Sequence, residues 1–316
     1  MAENTMKLKT VSLVVPFFNE ALGVAPFFQR LTQTCDKLKT RYLFQMVCIN
    51  DGSSDQTLAE LVKAKQALPN IIIIDFSRNF GKEAALTAGL DHATGDAIIP
   101  MDGDLQHPPE VLPLLLEKWD EGYEVVLAQR ISRNTEPPFQ KLAAQLFYKL
   151  NQKISQIHMP ADVGDFRLMD RRVVEAVKQL RENNRFMKGI FAWVGFKAVT
   201  VRFEVEARAT GTSSFNAWKL WNLALDGITN FSTLPLRVWT YLGGLVSLSA
   251  FLYASYIFIR TLVFGVDTPG YASLMIAILF LGGVQLIGIG VLGEYLGRVY
   301  SEVKARPTYI IRQVIE

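Results

Sequence analysis

Cysteine and histidine are scarce in this chain: its 316 residues include 2 of the first and 3 of the second. Cys35 and Cys48 lie in apolar surroundings, so no disulfide framework or cysteine metal spacing is indicated, as expected of a reducing compartment. A metal-spaced histidine pair, a Walker loop and an internal repeat are all missing. So is a strong excess of one charge: 33 Lys and Arg against 30 Asp and Glu leave a net +3, too mild to argue for nucleic acid. A secretory leader is not expected either, because Met1–Thr10 is polar and the apolar run Val11–Val15 is too short for a signal core.

What is abundant is apolar sequence. Hydrophobic residues make up 50% and the mean hydropathy is +0.18, above the ordinary soluble range. The excess is concentrated in Val238–Ile259 and Tyr271–Gly293, uncharged stretches of roughly 22 residues, each long enough to cross a bilayer as a helix. Two buried helices of a soluble core are the weaker reading, since such helices rarely run this long without a charge. Arg298, Lys304, Arg306 and Arg312 make the tail basic, whereas the connecting loop offers little beyond Arg260 and Asp267, so the positive-inside bias puts both flanks in the cytoplasm. Basic groups near the membrane suit anionic lipid. Ahead of the first span, Trp218, Trp221, Leu225 and Ile228 recur at helical spacing, with Lys219, Asn222 and Asp226 elsewhere on the wheel. This predicts an amphipathic helix in the headgroup layer, or one packed on the preceding domain. The organisation expected is a cytoplasmic catalytic domain over 1–212, juxtamembrane helices over 213–236, a two-helix transmembrane hairpin over 237–297 (helices about 238–260 and 271–293) and a basic tail over 298–316.

Through the first half, short apolar runs alternate with helical patterns. Val11–Val15, Phe44–Ile49, Ile71–Phe76, Ala97–Met101 and Val125–Ala128 read as strands of a mainly parallel sheet with flanking helices, an α/β fold. Ligands bind such sheets beyond the carboxyl ends of the strands, and the polar motifs fall there. Asp102 and Asp104, after the fourth run, would point to the same side of an extended backbone and could hold Mg²⁺ or Mn²⁺ against a diphosphate, with Gln106 as a third oxygen. In Asn50-Asp51-Gly52-Ser53-Ser54-Asp55, Ser54 and Asp55 suit a helix cap, while Asp51 could accept hydrogen bonds from a nucleobase. Pro16-Phe17-Phe18-Asn19-Glu20 supplies a facing wall, with Phe18 for stacking and Glu20 as a second acceptor. Gly288-Ile289-Gly290-Val291-Leu292-Gly293 has the spacing of a dinucleotide fingerprint but lies in an apolar span, where glycines serve close helix packing.

These motifs, with Arg78-Asn79-Phe80-Gly81-Lys82-Glu83-Ala84-Ala85-Leu86, Asp102-x-Asp104-Leu105-Gln106-His107-Pro108-Pro109-Glu110 and Val163-Gly164-Asp165-Phe166-Arg167-Leu168-Met169, resemble in order those of the family-2 glycosyltransferases that charge polyprenyl phosphates. The resemblance to dolichyl-phosphate mannosyltransferases is broad. That to bactoprenol glucosyltransferases of O-antigen (lipopolysaccharide) modification covers nearly the whole chain, including Trp218–Ala224 and the Leu296-Gly297-Arg298 end of the second span. It implies a GT-A fold, a UDP-glucose donor, an undecaprenyl phosphate acceptor, inversion at the anomeric carbon and Mg²⁺ or Mn²⁺. It further implies Pro16, Phe18, Asn19, Glu20, Asp51, Lys82 and Asp102 around the nucleotide sugar, Asp102, Asp104 and Gln106 around the metal, and catalytic roles for Asp104 and Asp165. The location implied is the bacterial inner membrane, in a homo-oligomer, a tetramer, upstream of a flippase and a glycan-acceptor transferase.

The acceptor is a phosphate monoester, mostly a dianion near neutral pH because its second pKa is about 6, so no strong base is required. Holding two anions together calls for arginines, and Arg130, Arg133 and Arg208 are the candidates, Arg130 also as a catalytic group. Asp165 is left between a base and a group that orients Arg167 or a sugar hydroxyl. One departure stands out: the family commonly has a lysine where this chain has Ser214, in Gly211-Thr212-Ser213-Ser214-Phe215. The alternatives are another donor sugar (mannose, galactose, an N-acetyl sugar, an aminoarabinose derivative) and a lipid-linked sugar translocator. A processive synthase is disfavoured because its Gln-x-x-Arg-Trp motif is absent.

Overall fold

The computed structural model describes residues 8–131, 163–180, 182–183, 185, 187–204, 234–264 and 270–316. Strand and helix alternate through β1 (Lys9–Phe17), α1 (Ala21–Leu38), β2 (Tyr42–Asn50), α2 (Thr57–Ala67), β3 (Ile71–Phe76), α3 (Lys82–His92), β4 (Ala97–Pro100), α4 (Leu112–Asp120) and β5 (Val125–Ile131). Then come β6 (Val163–Asp170), α5 (Arg171–Gln179), α6 (Met187–Trp193) and β7 (Ala198–Glu204), two long helices α7 (Leu234–Phe264) and α8 (Tyr271–Val303), and a final strand β8 (Ile311–Ile315). Each apolar run expected to be a strand is one. The juxtamembrane segment 213–236 lies outside the described residues up to 233, as do Arg133, Arg208 and Ser214.

The strands form one sheet of eight in the order β7-β5-β6-β4-β1-β2-β3-β8. Its centre is parallel: β1 pairs with β2 and β4, and β2 with β3. β6 is antiparallel to both β4 and β5, β7 is parallel to β5, and β8 is antiparallel to β3. Alternation sorts the side chains. Val11, Leu13, Val15 and Phe17 join a core with Phe27 and Leu31 of α1, Leu61 of α2 and Leu115 of α4. Val14 joins the opposite core with Ala85 and Ala88 of α3 and Val173 and Val177 of α5. Both faces are therefore covered, which is why the central runs read as continuously apolar rather than alternating. Each large side chain so buried contributes about 1.5–3 kcal/mol relative to exposure.

The long helices are the reverse. Leu245, Phe251, Leu252 and Leu262 on α7, and Leu286, Ile287, Ile289 and Leu296 on α8, are exposed. The stretches Val238–Phe264 and Phe280–Val303 have mean hydropathies of 1.8 and 1.4, with 0% and 6% of their most apolar windows buried. That outward apolar surface argues against a soluble core. Gly288, within the fingerprint-like run, is where the helices meet: a Cβ there would lie 2.0 Å from Trp239 Nε1, so the missing side chain is the notch that receives the indole.

Beyond α8 the tail rejoins the sheet. Ala305 turns the chain in the left-handed region (φ 46°), and Glu302 carboxylate oxygens accept from Asn183 N at 3.0 Å. Tyr309 stacks on Phe76 with centroids 5.2 Å apart and donates its hydroxyl to Asp91 at 2.8 Å. Arg312 donates to the Ser77 carbonyl at 2.8 Å, Ser77 N donates to the Ile310 carbonyl at 3.0 Å, and Gln313 reaches the buried Asp75 at 3.4 Å. The basic tail is thus an edge strand, its cations spent partly on Asp75 and the β3 carboxyl end. Because the chain leaves the sheet after β7 and returns to it as β8, any crossing made by α7 must be reversed by α8. Tyr309→Ala, which removes the stack and the Asp91 bond, is expected to lower the unfolding free energy of the full-length protein by about 2 kcal/mol; an unchanged denaturation midpoint would show that β8 is held by other contacts.

Candidate active site

The carboxyl ends of β1, β2, β3 and β4 open on one edge of the sheet, and the loops there are tied to one another. Asn19 adopts a left-handed conformation (φ 52°) tolerable to asparagine, its N donates to Ser53 Oγ at 3.0 Å, and its Oδ1 accepts from Ser54 N at 2.9 Å. Glu20 N donates to Thr57 Oγ1 at 2.9 Å. Asp55 ends both helices at once: its carboxylate accepts from Ala21 N at the start of α1 (3.2 Å) and from Thr57 N at the start of α2 (3.0 Å). Asp55 stands one residue ahead of the α2 N-cap, Gln56, and satisfies the first helical N–H of both helices. These bonds outweigh the desolvation that opposes them and hold the Asp55 pKa below the usual carboxylate value. Phe18, 47% exposed, stands free for stacking.

Asp51 is buried, and its partners are protein groups. Oδ1 accepts from Phe80 N at 2.7 Å, and Oδ2 accepts from Gly81 N at 3.0 Å and from Asn79 Nδ2 at 3.0 Å. Burial lifts its pKa, against the pull of the two backbone N–H groups. Gly52 fits the same junction: with φ 62°, a Cβ there would lie 2.2 Å from the Arg78 carbonyl carbon. Asp51 therefore positions the Arg78–Gly81 loop, a role that the sequence did not suggest.

That loop delivers Lys82, the first residue of α3. Its ammonium lies 2.6 Å from Asp102 Oδ1 and 3.1 Å from Asp165 Oδ2. Although desolvation works against the charge, these carboxylates raise the lysine pKa above its ordinary value. Asp165 comes from the start of β6, whose antiparallel register pairs Ala97 with Asp170 and Ile98 with Met169. Continued outward, that register brings Asp165 level with Asp102.

The acidic pair sits differently from the expectation of an extended backbone. β4 ends at Pro100, so Asp102 and Asp104 occupy a turn, with Leu105 at φ 61°. Asp102 N donates to His107 Nδ1 at 3.0 Å, Gln106 N donates to Asp104 Oδ1 at 3.0 Å, and a Cβ on Gly103 would lie 2.4 Å from the Phe17 ring. His107 is buried and stacks on Phe166 at 4.8 Å. Sequence reasoning gave this histidine no function; its clue was its place in the motif next to the acidic pair. Among the described residues no group of three or more His, Cys, Asp or Glu could hold a metal alone. Half-buried oxygen donors in one turn, one of them already bearing an ammonium, fit a hard divalent cation whose remaining ligands come from a diphosphate and water.

Arg167 feels the Asp165 charge and donates to backbone. Its Nη2 donates to the Gly164 carbonyl at 2.6 Å, its guanidinium lies 4.5 Å from the Phe191 ring, and burial pulls its pKa down to about 10 against the nearby Asp165 charge. Arg130 is at the carboxyl end of β5, where the neighbouring Gln129 pairs with Val163 of β6; its side chain lies outside the described residues. The backbone thus places Arg130 at the edge that carries Asp165, while Arg133 and Arg208 fall outside the described residues.

Comparison with known proteins gives the family. Glycosyl transferase family 2 matches residues 12–178 and the GtrB C-terminal hairpin matches residues 234–299. An uncharacterized glycosyltransferase of Synechocystis sp. is 54% identical over 95% of this chain and 94% of its own length. An SfII prophage-derived bactoprenol glucosyl transferase of Shigella flexneri is 54% identical over 96% of this chain and 97% of its own. A solved mannosyltransferase of Pyrobaculum calidifontis, in complex with GDP-Man and Mn²⁺, is similar at a TM-score of 0.47 and 14% identity over 94% of this chain and 87% of that one.

The Asp55 clasp has a pH signature. A carboxylate with a depressed folded pKa stabilises above its unfolded value of about 4 and loses that contribution as pH falls through the folded value. Asp55→Asn is therefore expected to lower stability at pH 7 and to flatten the decline of the unfolding midpoint between about pH 5 and 3; an acid limb as steep as that of the parent would refute the assignment.

Proposed function

The chain belongs to glycosyl transferase family 2 and has a GT-A-like α/β domain followed by two long apolar helices, and from that premise we propose that it transfers glucose from UDP-glucose to polyprenyl phosphate, with inversion. The observation that carries this reading is identity of about half over nearly full length with bactoprenol glucosyl transferases, through the hairpin as well as the site. The apolar hairpin suits an acceptor dissolved in a bilayer, and the tail strand on β3 suits a bacterial inner-membrane protein whose catalytic domain and C-terminus share the cytoplasmic side. The product would be polyprenyl phosphate glucose, for glucosylation of O-antigen or another envelope glycan.

In this reading Phe18 stacks on the nucleobase and Glu20 accepts from the nucleoside, while Asn19 and Asp51 are positioning residues that fix the loops around it. Pro16, at the end of β1, shapes that wall. Asp102 and Asp104, with Gln106, would hold the divalent cation, whose charge would offset that of the departing diphosphate. An acceptor phosphate oxygen, as the dianion, forms the bond to the anomeric carbon while the carbon–oxygen bond to the diphosphate breaks and UDP departs with the electron pair. No proton has to be removed, so Asp165 need not act as a base; beside Lys82 it contributes charge balance. Arg130, Arg133 and Arg208 are assigned to the acceptor phosphate.

Incubating the purified protein in lipid with undecaprenyl phosphate, a divalent cation and a panel of UDP-sugars should yield polyprenyl phosphate hexose from UDP-glucose, identified by mass spectrometry. Asp104→Asn should reduce the rate by a factor on the order of a hundred or more. A glycolipid formed from a different donor alone would overturn the sugar assignment, and full activity in the variant would overturn the metal role of Asp104.

A further inference from the structure

The carboxylate assigned to the metal carries a cation of the protein's own. Lys82 Nζ lies 2.6 Å from Asp102 Oδ1 and 3.1 Å from Asp165 Oδ2, so one ammonium compensates both acids. The lysine is anchored at its base, while its side chain is partly exposed. Its backbone follows Gly81 (φ 96°), and Gly81 N is held by Asp51 at 3.0 Å, whereas its side chain is 44% exposed. Asp102 is the more constrained partner, with its N–H on His107 and its side chain 25% exposed.

An ammonium and a divalent cation repel and compete for the same carboxylate oxygen. A lysine, with a compact charge on a flexible stem, can leave such a position without a backbone change. It leaves readily only when another anion is within its swing, and a nucleoside diphosphate beside Asp102 supplies one. We propose that Lys82 is a resident counter-cation that excludes divalent metal from Asp102 in the donor-free enzyme and passes to the diphosphate when the nucleotide arrives. Metal and nucleotide then bind cooperatively, because each removes the obstacle to the other. The inference rests on the donor and metal site proposed above and deepens it, making Lys82 the residue that couples the two ligands.

The test measures Mn²⁺ binding to full-length protein in detergent from the electron paramagnetic resonance signal of free Mn²⁺, with and without UDP. Lys82→Met is expected to bind Mn²⁺ alone on the order of tenfold tighter than the parent, and its enhancement by UDP should shrink by a similar factor; chelation of Mn²⁺ by free UDP is common to both and cancels. Lys82→Gln carries the same expectation and serves if the methionine variant does not fold. Equal Mn²⁺ affinity in parent and lysine variants, while Asp102→Asn weakens binding, overturns the counter-cation role and leaves the metal site intact. Unaltered Mn²⁺ binding in Asp102→Asn overturns the metal site itself, and with it the present inference.

Discussion

Two carboxylates brought level across neighbouring strands must be neutralised, and the arrangement of this active site follows from that requirement. Asp102 leaves the end of a parallel strand, and Asp165 opens an antiparallel one laid beside it. The ammonium of Lys82 lies within ion-pair distance of both, carried there by the start of α3. Asp51 holds that start through the backbone of Phe80 and Gly81. A buried carboxylate in one loop thus sets the position of a charged side chain in the next.

The other loops at this edge are built in the same spirit, with polar side chains spent on neighbouring backbone rather than on solvent. Asn19 and Ser53, Ser54 and Asn19, Asp55 and two helix starts form a lattice in which each strand end supports the next. Such satisfaction of N–H groups that helices leave unpaired is worth about 1 kcal/mol per cap. Phe18, left facing outward, is thereby held on a stiff frame.

Much of this was legible in the sequence because the relevant contacts are local or repeat with a fixed period. The strands β1 to β5 announce themselves as apolar runs, and the chemistry clusters after them because parallel strands share one carboxyl edge. The antiparallel placement of β6 was not legible. Asp165 and Arg167 interrupt its hydrophobic pattern, and no local signal says that it inserts between β4 and β5. The loop contacts of Asp51 were not legible for a related reason: its donors are the backbone of residues 80 and 81, and backbone groups leave no trace in a sequence. Asp102 and Asp104 were expected on extended chain, yet Pro100 ends the strand and the turn carries them. The tail misled through its composition, since Arg312 looks like a solvent or lipid contact until its partners on β3 are seen.

The return of the tail to β3 has a bearing on how the molecule is made. The apolar hairpin is in effect an insertion between two strands of one sheet, so the edge of β3 cannot be closed until β8, which follows the hairpin, has been made. During synthesis the hairpin emerges first, while Phe76 and the open edge still lack their cover. Completion of the sheet thereby waits on synthesis of both long helices, and a nascent chain that stalls before β8 presents an unfinished edge.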